Sequence, residues 1–436
     1  LNPDSKAMKL LCLSNGHGED VIALHILQEL QSLSAHLELA ALPIVGAGHA
    51  YTTHDIPLAG PAKQMPSGGF IYMDGGQQLM RDIKGGLLPL TRAQLQTVRS
   101  RAKAGWAILA VGDIVPLLFA WWSGAPYAFV GTAKTEYYLR DERGILPRRS
   151  WFERLESWSG SVYLPWERWL MQHRRCKAVF PRDLLTTTTL KRWNIPAVSL
   201  GNPMMDRLDP TGIQFDRLSN DDGTALTFVL LPGSRSPEAY ENWKIILQAV
   251  SALVSVFGKQ RLQFLGAIAP GLDLTPFQQA LKSSGWWLAE SKTSPGNYST
   301  FQQLGATFIL TQFHFNDCLH QADFAIAMAG TATEQFAGLG KPALIIPGKG
   351  PQFTPQFAEA QTRLLGSSIT LVEHPTTIVA AVQALLNDPD RLQEIAENGA
   401  ARMGQPGAAR RIAEYLLELP SFFTPYDRNS EASPPM

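Results

Sequence analysis

The chain has 436 residues, past the size at which one hydrophobic core keeps growing, so two domains are expected. Its apolar fraction of 45% and charged fraction of 17% are those of an ordinary globular protein, and its 38 basic residues cancel its 38 acidic ones. That balance leaves no net field to hold nucleic acid by counterion release. Cys12, Cys176 and Cys318 lie far apart without CxxC or Cys/His spacing, which argues against a disulfide framework and structural zinc and fits a reducing compartment. The first nine residues lack a basic stretch followed by an apolar one, so a secretory signal is not expected and a cytoplasmic location is. Residues 1–7 are assigned no function.

The first half repeats a short apolar run, a Gly- or Pro-marked turn and a helical pattern, the signature of parallel α/β structure. Strands are expected over 9–13, 37–42, 106–111, 127–130, 178–180 and 197–200, and helices over 21–33, 89–103 and 183–193. The Gly- and Pro-rich segment 50–86 reads as loops. The stretch 107–130 is apolar enough to be mistaken for a membrane span. Asp113, Pro116, Gly124 and Pro126 interrupt it, favouring strand, short helix (114–122) and strand.

The pattern breaks near Gly201-Asn202-Pro203, and a new strand begins at 226. Further strands are expected over 226–231, 263–268, 307–310, 324–329 and 343–346, with helices over 237–257, 355–365 and 407–417. The expected organisation is an N-terminal Rossmann-like domain over 8–205, a second over 206–420 and a disordered tail over 421–436. Ligands of such sheets bind beyond the carboxyl ends of the strands, in loops or a cleft between domains.

Leu231-Pro232-Gly233-Ser234-Arg235 ends the strand that opens the second half. Gly233 permits a tight turn, and Ser234, Arg235 and exposed N–H groups suit a phosphate. The alternative is a plain turn with a solvated arginine. Ala329-Gly330-Thr331-Ala332-Thr333-Glu334 again follows a buried strand and opens a helix. Its small residues admit a diphosphate to the helix N-terminus, and Glu334 suits a ribose diol; otherwise Thr331 or Thr333 caps the helix. Pro347-Gly348-Lys349-Gly350-Pro351 with Gln356 offers groups to read a base or a sugar hydroxyl, or is an ordinary loop.

In the first half, Ser14-Asn15-Gly16-His17-Gly18-Glu19-Asp20 joins strand to helix. The glycine spacing is not the dinucleotide fingerprint, and Glu19 and Asp20 at a helix start repel a diphosphate. Asn15, Gly16, Gly18, Glu19 and Asp20 therefore suit a hydroxylated acceptor. His17 has the intrinsic pKa of a general base, or is structural. Gly112-Asp113 ends another strand at the same edge, and Asp113 is either a desolvated base or a helix cap. Segment 137–182 carries ten Arg/Lys, five Asp/Glu and nine aromatics, among them Trp151, Trp158, Trp166 and Trp169. This suits an anionic lipid interface, or a helical excursion packed through its tryptophans.

With Gly201-Asn202-Pro203 and Asp206, LPGSR at 231–235 and GTATE at 330–334 occurring in the family's order, the chain resembles the lipid-A-disaccharide synthase family, most closely its cyanobacterial-type relatives, over about residues 8–420. The resemblance implies a GT-B fold and inverting transfer from a UDP-sugar to a lipid-like acceptor, with no metal or other cofactor. It implies that Arg235, Gly330, Thr331 and Glu334 bind the donor and that Asp113, or else His17, is the base. The chain departs from the family at SNGHGED, at Gly112-Asp113-Ile114-Val115-Pro116 and at Glu359, all acceptor or sugar contacts. Two rivals remain. One is a UDP-N-acetylglucosamine 2-epimerase-like enzyme using carboxylates such as Asp113 and Glu136; the other is a membrane-associated protein that binds a nucleotide sugar without catalysis.

Overall fold

The computed structural model describes residues 8–63, 86–147, 151–215, 225–257, 261–289, 297–350 and 352–424, excepting the side chains of His17, Trp151, Phe152, Glu153 and Leu155. The chain forms two compact units, Leu1–Asp206 with Gln405–Met436, and Arg207–Gly404.

In the first unit the strands are β1 (Lys9–Ser14), β2 (Glu38–Pro43), β3 (Ala107–Gly112), β4 (Tyr127–Gly131), the small hairpin β5 (Arg140–Asp141) and β6 (Gly144–Ile145), and β7 (Cys176–Pro181). The helices are α1 (His17–Leu33), α2 (His49–Thr52), α3 (Leu87–Lys103), α4 (Ile114–Ser123), α5 (Trp151–Ser159), α6 (Pro165–Gln172) and α7 (Leu184–Lys191). The main sheet is parallel, in the order β2-β1-β3-β4-β7. Its strands are near-continuous apolar runs because both faces are covered. Leu11, Leu13 and Ile108 pack with Val98 of α3 and Leu117 of α4. Leu10, Cys12 and Leu109 pack with Ile26 of α1 and with Ile412 and Leu416 near the C-terminus.

Those last two belong to α15 (Ala408–Leu417), followed by α16 (Pro420–Phe423). The boundary expected from the sequence is corrected here. The second unit ends at Gly404, because α15 presents Ile412, Ala413 and Leu416 to the first sheet. The tail expected from 421 begins with order, since Phe422 is fully buried; residues 425–436 lie outside the described set. The strand expected over 197–200 is only an isolated bridge, Val179↔Ala197. Within 50–86, α2 and an Ala41↔Leu58 bridge are formed, and 64–85 lie outside the described residues. Stretch 107–130 resolves into β3, α4 and β4, and no helix among the described residues is long and apolar enough to cross a membrane.

The second unit holds β8 (Leu226–Leu231), β9 (Leu262–Ala267), β10 (Trp287–Leu288), β11 (Tyr298–Gln303), β12 (Ala306–Thr311), β13 (Phe324–Ala327), β14 (Ala343–Ile345) and β15 (Ile369–Leu371). Its helices are α8 (Glu238–Phe257), α9 (Thr275–Ser283), α10 (Phe315–Gln321), α11 (Thr331–Gly338), α12 (Pro355–Leu365), α13 (Ile378–Leu386) and α14 (Pro389–Met403). The sheet order is β10-β11-β12-β9-β8-β13-β14-β15. From β12 to β15 it is parallel, while β10 and β11 add antiparallel. Counted along the chain, the parallel strands follow the 3-2-1-4-5-6 order of the doubly wound dinucleotide fold. The antiparallel pair escapes a sequence reading because Tyr298–Gln303 buries only Phe301 completely.

Candidate active site

In each unit, strand order reverses beside the first strand of its sheet, leaving a crevice at the carboxyl edge where the connections diverge to opposite faces. In the first unit that point lies between β1 and β3. Gly112 has φ +132°, and a methyl group there would stand 3.2 Å from Glu19 Cγ and 3.6 Å from Asn15 Cβ. Glycine thus lets the end of β3 approach the first turn of α1 closely.

Asp113 is a helix cap that is also desolvated. Its Oδ1 accepts from Val115 N at 2.8 Å, capping α4, and from Asn15 Nδ2 at 3.1 Å. Burial raises its pKa and the charge of Glu167 adds to this, against the two hydrogen bonds, which hold the anion. Glu19 is pushed up to about 7, chiefly by burial, with the negative charges of Asp113 and Asp20 adding to it against hydrogen bonds from its own backbone N–H and from Thr132. Thr132 Oγ1 lies 3.5 Å from Glu19 Oε1. Gly16 caps α1 with its backbone at φ 140°, and Gly18 is exposed with open space beside it. The side chain of His17 lies outside the described residues.

Asp20 corrects an expectation. It is 3% exposed and accepts from Ser14 Oγ at 2.5 Å, and that hydroxyl also meets Tyr51 Oη at 2.6 Å. Its carboxylate faces the interior rather than an acceptor. Glu136 is likewise committed: it is fully buried, paired with Arg140 Nε at 2.8 Å, and accepts from Ser161 Oγ and from Val162 N.

In the second unit the reversal lies between β8 and β13, and both glycine-led motifs meet there. Gly233 has φ +99°, and a methyl group on it would stand 3.4 Å from the Met328 carbonyl. Asn242 Nδ2 ties the two strand ends, donating to Pro232 O at 3.0 Å and Met328 O at 3.5 Å. Ser234 is exposed and Arg235 half-buried. Burial lowers the Arg235 pKa, opposed by the charge of Glu238. With the Gln352 amide turned to suit its neighbours, its oxygen accepts from Arg235 Nη1 at 2.5 Å and Nε at 3.1 Å. Glu238 accepts from Gln352 N at 3.1 Å and Phe353 N at 2.8 Å. Arg235 is therefore joined to Gln352 of the loop that follows β14.

Gly330 caps α11 without a side-chain hydrogen bond, and the first-turn N–H groups of a helix have no intrahelical partner, the condition for an anion site. Thr331 at the helix start is exposed. Thr333 is corrected: its fully buried hydroxyl donates to Ala329 O at 2.6 Å and is not available to a donor. Glu334, one turn in, is 8% exposed. Gln361 Nε2 holds the loop through Ala329 O and Gly330 O, both at 3.3 Å. Gln356 is exposed in the first turn of α12, which Thr354 caps. Glu359 forms a two-pronged pair with Arg363, at 2.9 and 2.5 Å. Sequence reasoning missed Glu238, Asn242, Gln352 and Gln361. For Glu238 and Asn242 a signal existed: they are four apart on α8, on the face that also carries the buried Ala239, Trp243 and Ile246, where a polar residue needs a purpose.

No family model matches the chain. Over 251 residues it is 27% identical to lipid-A-disaccharide synthase of Syntrophus aciditrophicus (strain SB), covering 50% of this chain and 57% of that enzyme. The chain is related to lipid-A-disaccharide synthase. It spans little more than half the length of that curated relative. Over 129 residues it is 28% identical to the UDP-N-acetylglucosamine–N-acetylmuramyl-(pentapeptide) pyrophosphoryl-undecaprenol N-acetylglucosamine transferase of Rhodopseudomonas palustris (strain BisA53), covering 28% of this chain and 34% of that one. Among solved structures, Acinetobacter baumannii MurG superposes with TM-score 0.52 at 14% identity, covering 94% of this chain and 99% of that one. A UDP-GlcNAc 2-epimerase from Neisseria meningitidis gives 0.53 at 15%, covering 94% and 100%. This lipid-A-disaccharide-synthase-related chain thus has the two-domain, Rossmann-like GT-B fold.

Proposed function

We propose that the protein is an inverting glycosyltransferase that moves a sugar of the N-acetylglucosamine or acylated-glucosamine type from a UDP-sugar to a lipid or lipid-linked acceptor. The observation that carries this reading is the meeting of Gly233 and Gly330 at the reversal point of the second sheet, with Arg235 beside them. In this reading the diphosphate lies against the N–H groups of α11 and the guanidinium of Arg235, which together offset the charge of the departing UDP. Glu334 takes the ribose diol, and Gln356 a base or sugar hydroxyl. A carboxylate of the first unit's edge activates the acceptor hydroxyl. No metal ion is asked for, so turnover is expected to survive EDTA.

The test is thermal stabilisation by UDP and UDP-N-acetylglucosamine, since a ligand that binds only the folded state raises its stability. Stabilisation by either that is lost in Glu334→Ala supports the reading; no response to any uridine nucleotide overturns it. The epimerase reading is weakened by Glu136, which is locked into the first unit's core and offers no carboxylate to a sugar. UDP-bound protein without turnover on any acceptor would favour the non-catalytic reading.

The lipid character of the acceptor agrees with exposure in segment 137–182. Trp158 is 82% exposed and Trp166 and Trp169 are 53% exposed each, while Trp122 of the neighbouring α4 is also open, at 47%. Exposed indoles among arginines suit the headgroup layer of an anionic membrane. We place the enzyme in the cytoplasm, peripheral on the cytoplasmic membrane face through this segment.

A further inference from the structure

We propose that Glu19 is the general base of the first unit, the group that takes the proton of the acceptor hydroxyl, and that Asp113 is a positioning residue beside it. The inference rests on the transferase reading and moves to Glu19 a role that the family resemblance implies for Asp113 or else His17.

Three observations carry it. Glu19 stands in the first turn of α1 at the point where the sheet order reverses, and Gly112 lets the end of β3 come up to its side chain. Second, Asp113 Oδ1 already accepts two hydrogen bonds, from Val115 N and Asn15 Nδ2. Such bonds commit that oxygen to capping α4 and to Asn15, while burial raises the Asp113 pKa against them. Third, among the described residues the side-chain partner of Glu19 is the Thr132 hydroxyl at 3.5 Å, at the outer limit of hydrogen bonding, and the carboxylate also accepts from its own backbone N–H, which leaves lone pairs for an incoming hydroxyl.

The groups around Glu19 also suit the task. Asp20 on its own helix is turned to Ser14, Asp113 ends β3, and beyond β4 Arg182 Nη1 donates to the Thr132 carbonyl at 3.1 Å. The charges that act on Glu19 are the anions Asp113 and Asp20, and with burial they keep a proton on it up to about pH 7. A base works best when its pKa lies near the working pH. In the step itself, the acceptor O–H proton moves to the Glu19 carboxylate as the oxygen bonds to the anomeric carbon. The bond from that carbon to the diphosphate oxygen breaks, and its electron pair leaves with UDP. Asp113, fixed in place by capping α4, adds the negative charge that raises the Glu19 pKa.

The test uses the full chain with glutamate labelled by carbon-13 at the side-chain carboxyl, the Glu19→Gln spectrum assigning the resonance. A Glu19 midpoint near 7 that falls in Asp113→Asn is expected, since removing a neighbouring negative charge lowers it. A midpoint at the ordinary 4.5, or one that Asp113→Asn leaves in place, overturns the proposal. In parallel, UDP release from UDP-N-acetylglucosamine is followed with an alkyl glucosaminide acceptor. Glu19→Gln should lower kcat about 100-fold and remove the acidic limb of the pH profile, while UDP still stabilises the variant. A UDP-stabilised protein whose Glu19→Gln variant turns over at the wild-type rate overturns the base alone. A wild type that UDP does not stabilise overturns the transferase reading, and this one with it.

Discussion

The Asp206 carboxylate caps α15 from two hundred residues away, accepting from Gly407 N at 2.6 Å, and also from Ala408 N at 3.0 Å and Ala409 N at 2.7 Å. Arg411 closes the same junction by donating to Leu200 O at 2.9 Å. The Gly201-Asn202-Pro203…Asp206 stretch is therefore a clasp that returns the C-terminal helix to the first unit. Hydrogen bonds to a charged group contribute about 1.5–3 kcal/mol each, and helix caps about 1. Asp206→Ala is expected to cost about 3 kcal/mol in chemical denaturation of the first unit. A loss below about 0.5 kcal/mol would show that the clasp is incidental.

Glu19 links the proposed chemistry to stability. Its folded pKa, raised from 4.5 to about 7, means that the folded state binds the proton more tightly than the unfolded chain. The stabilisation is complete below about pH 4.5 and is lost as pH rises through 7. Removing the charge with Glu19→Gln should thus raise the melting temperature at pH 8 by a few degrees relative to wild type, and leave it little changed at pH 5. Equal differences at the two pH values would contradict a raised pKa.

Gly18 has open space on every side of the position a methyl would take. Gly18→Ala is expected to preserve stability or raise it by up to about 1 kcal/mol from helix propensity. If the acceptor passes over this turn, turnover falls at least about tenfold, as it does when a small misplacement disturbs a reacting geometry. Unchanged turnover removes Gly18 from the acceptor path.

Glu238 holds the loop that carries Gln352 through the N–H groups of Gln352 and Phe353. Glu238→Gln weakens both bonds and loosens the loop that orients Arg235. UDP binding by calorimetry should weaken about tenfold, the equivalent of about 1.4 kcal/mol, with the melting temperature of the free protein changing little. Full affinity would confine Glu238 to a structural role.

Trp158, Trp166 and Trp169 all present more than half of their surface to solvent. Replacing the three with alanine is expected to reduce co-sedimentation with anionic phospholipid vesicles about tenfold or more, because each indole removes apolar and headgroup contact. Sedimentation equal to that of wild type would dismiss the membrane contact, leaving the donor site untouched.

Much of this was legible in the residues themselves. The apolar runs from Lys9 and Leu226, the interruptions at Pro116 and Gly124, and the glycines before α11 fixed the element types, because periodicity and turn chemistry are local properties. The second sheet's edge was not legible, since Tyr298–Gln303 carries mostly polar residues and gains its order from pairing with β12. Nor was the fate of the carboxylates. Glu19, Asp20, Asp113 and Glu136 look alike as letters, yet Asp20 and Glu136 are locked into buried contacts, Asp113 caps α4, and Glu19 is raised to about 7 with only a long contact to the Thr132 hydroxyl among the described side chains. Charge, propensity and motif order are written in the chain. Which strands lie side by side, which helix returns to which sheet, and hence which side chain loses its water, depend on contacts between residues a hundred or two hundred positions apart, and only the folded structure decides those.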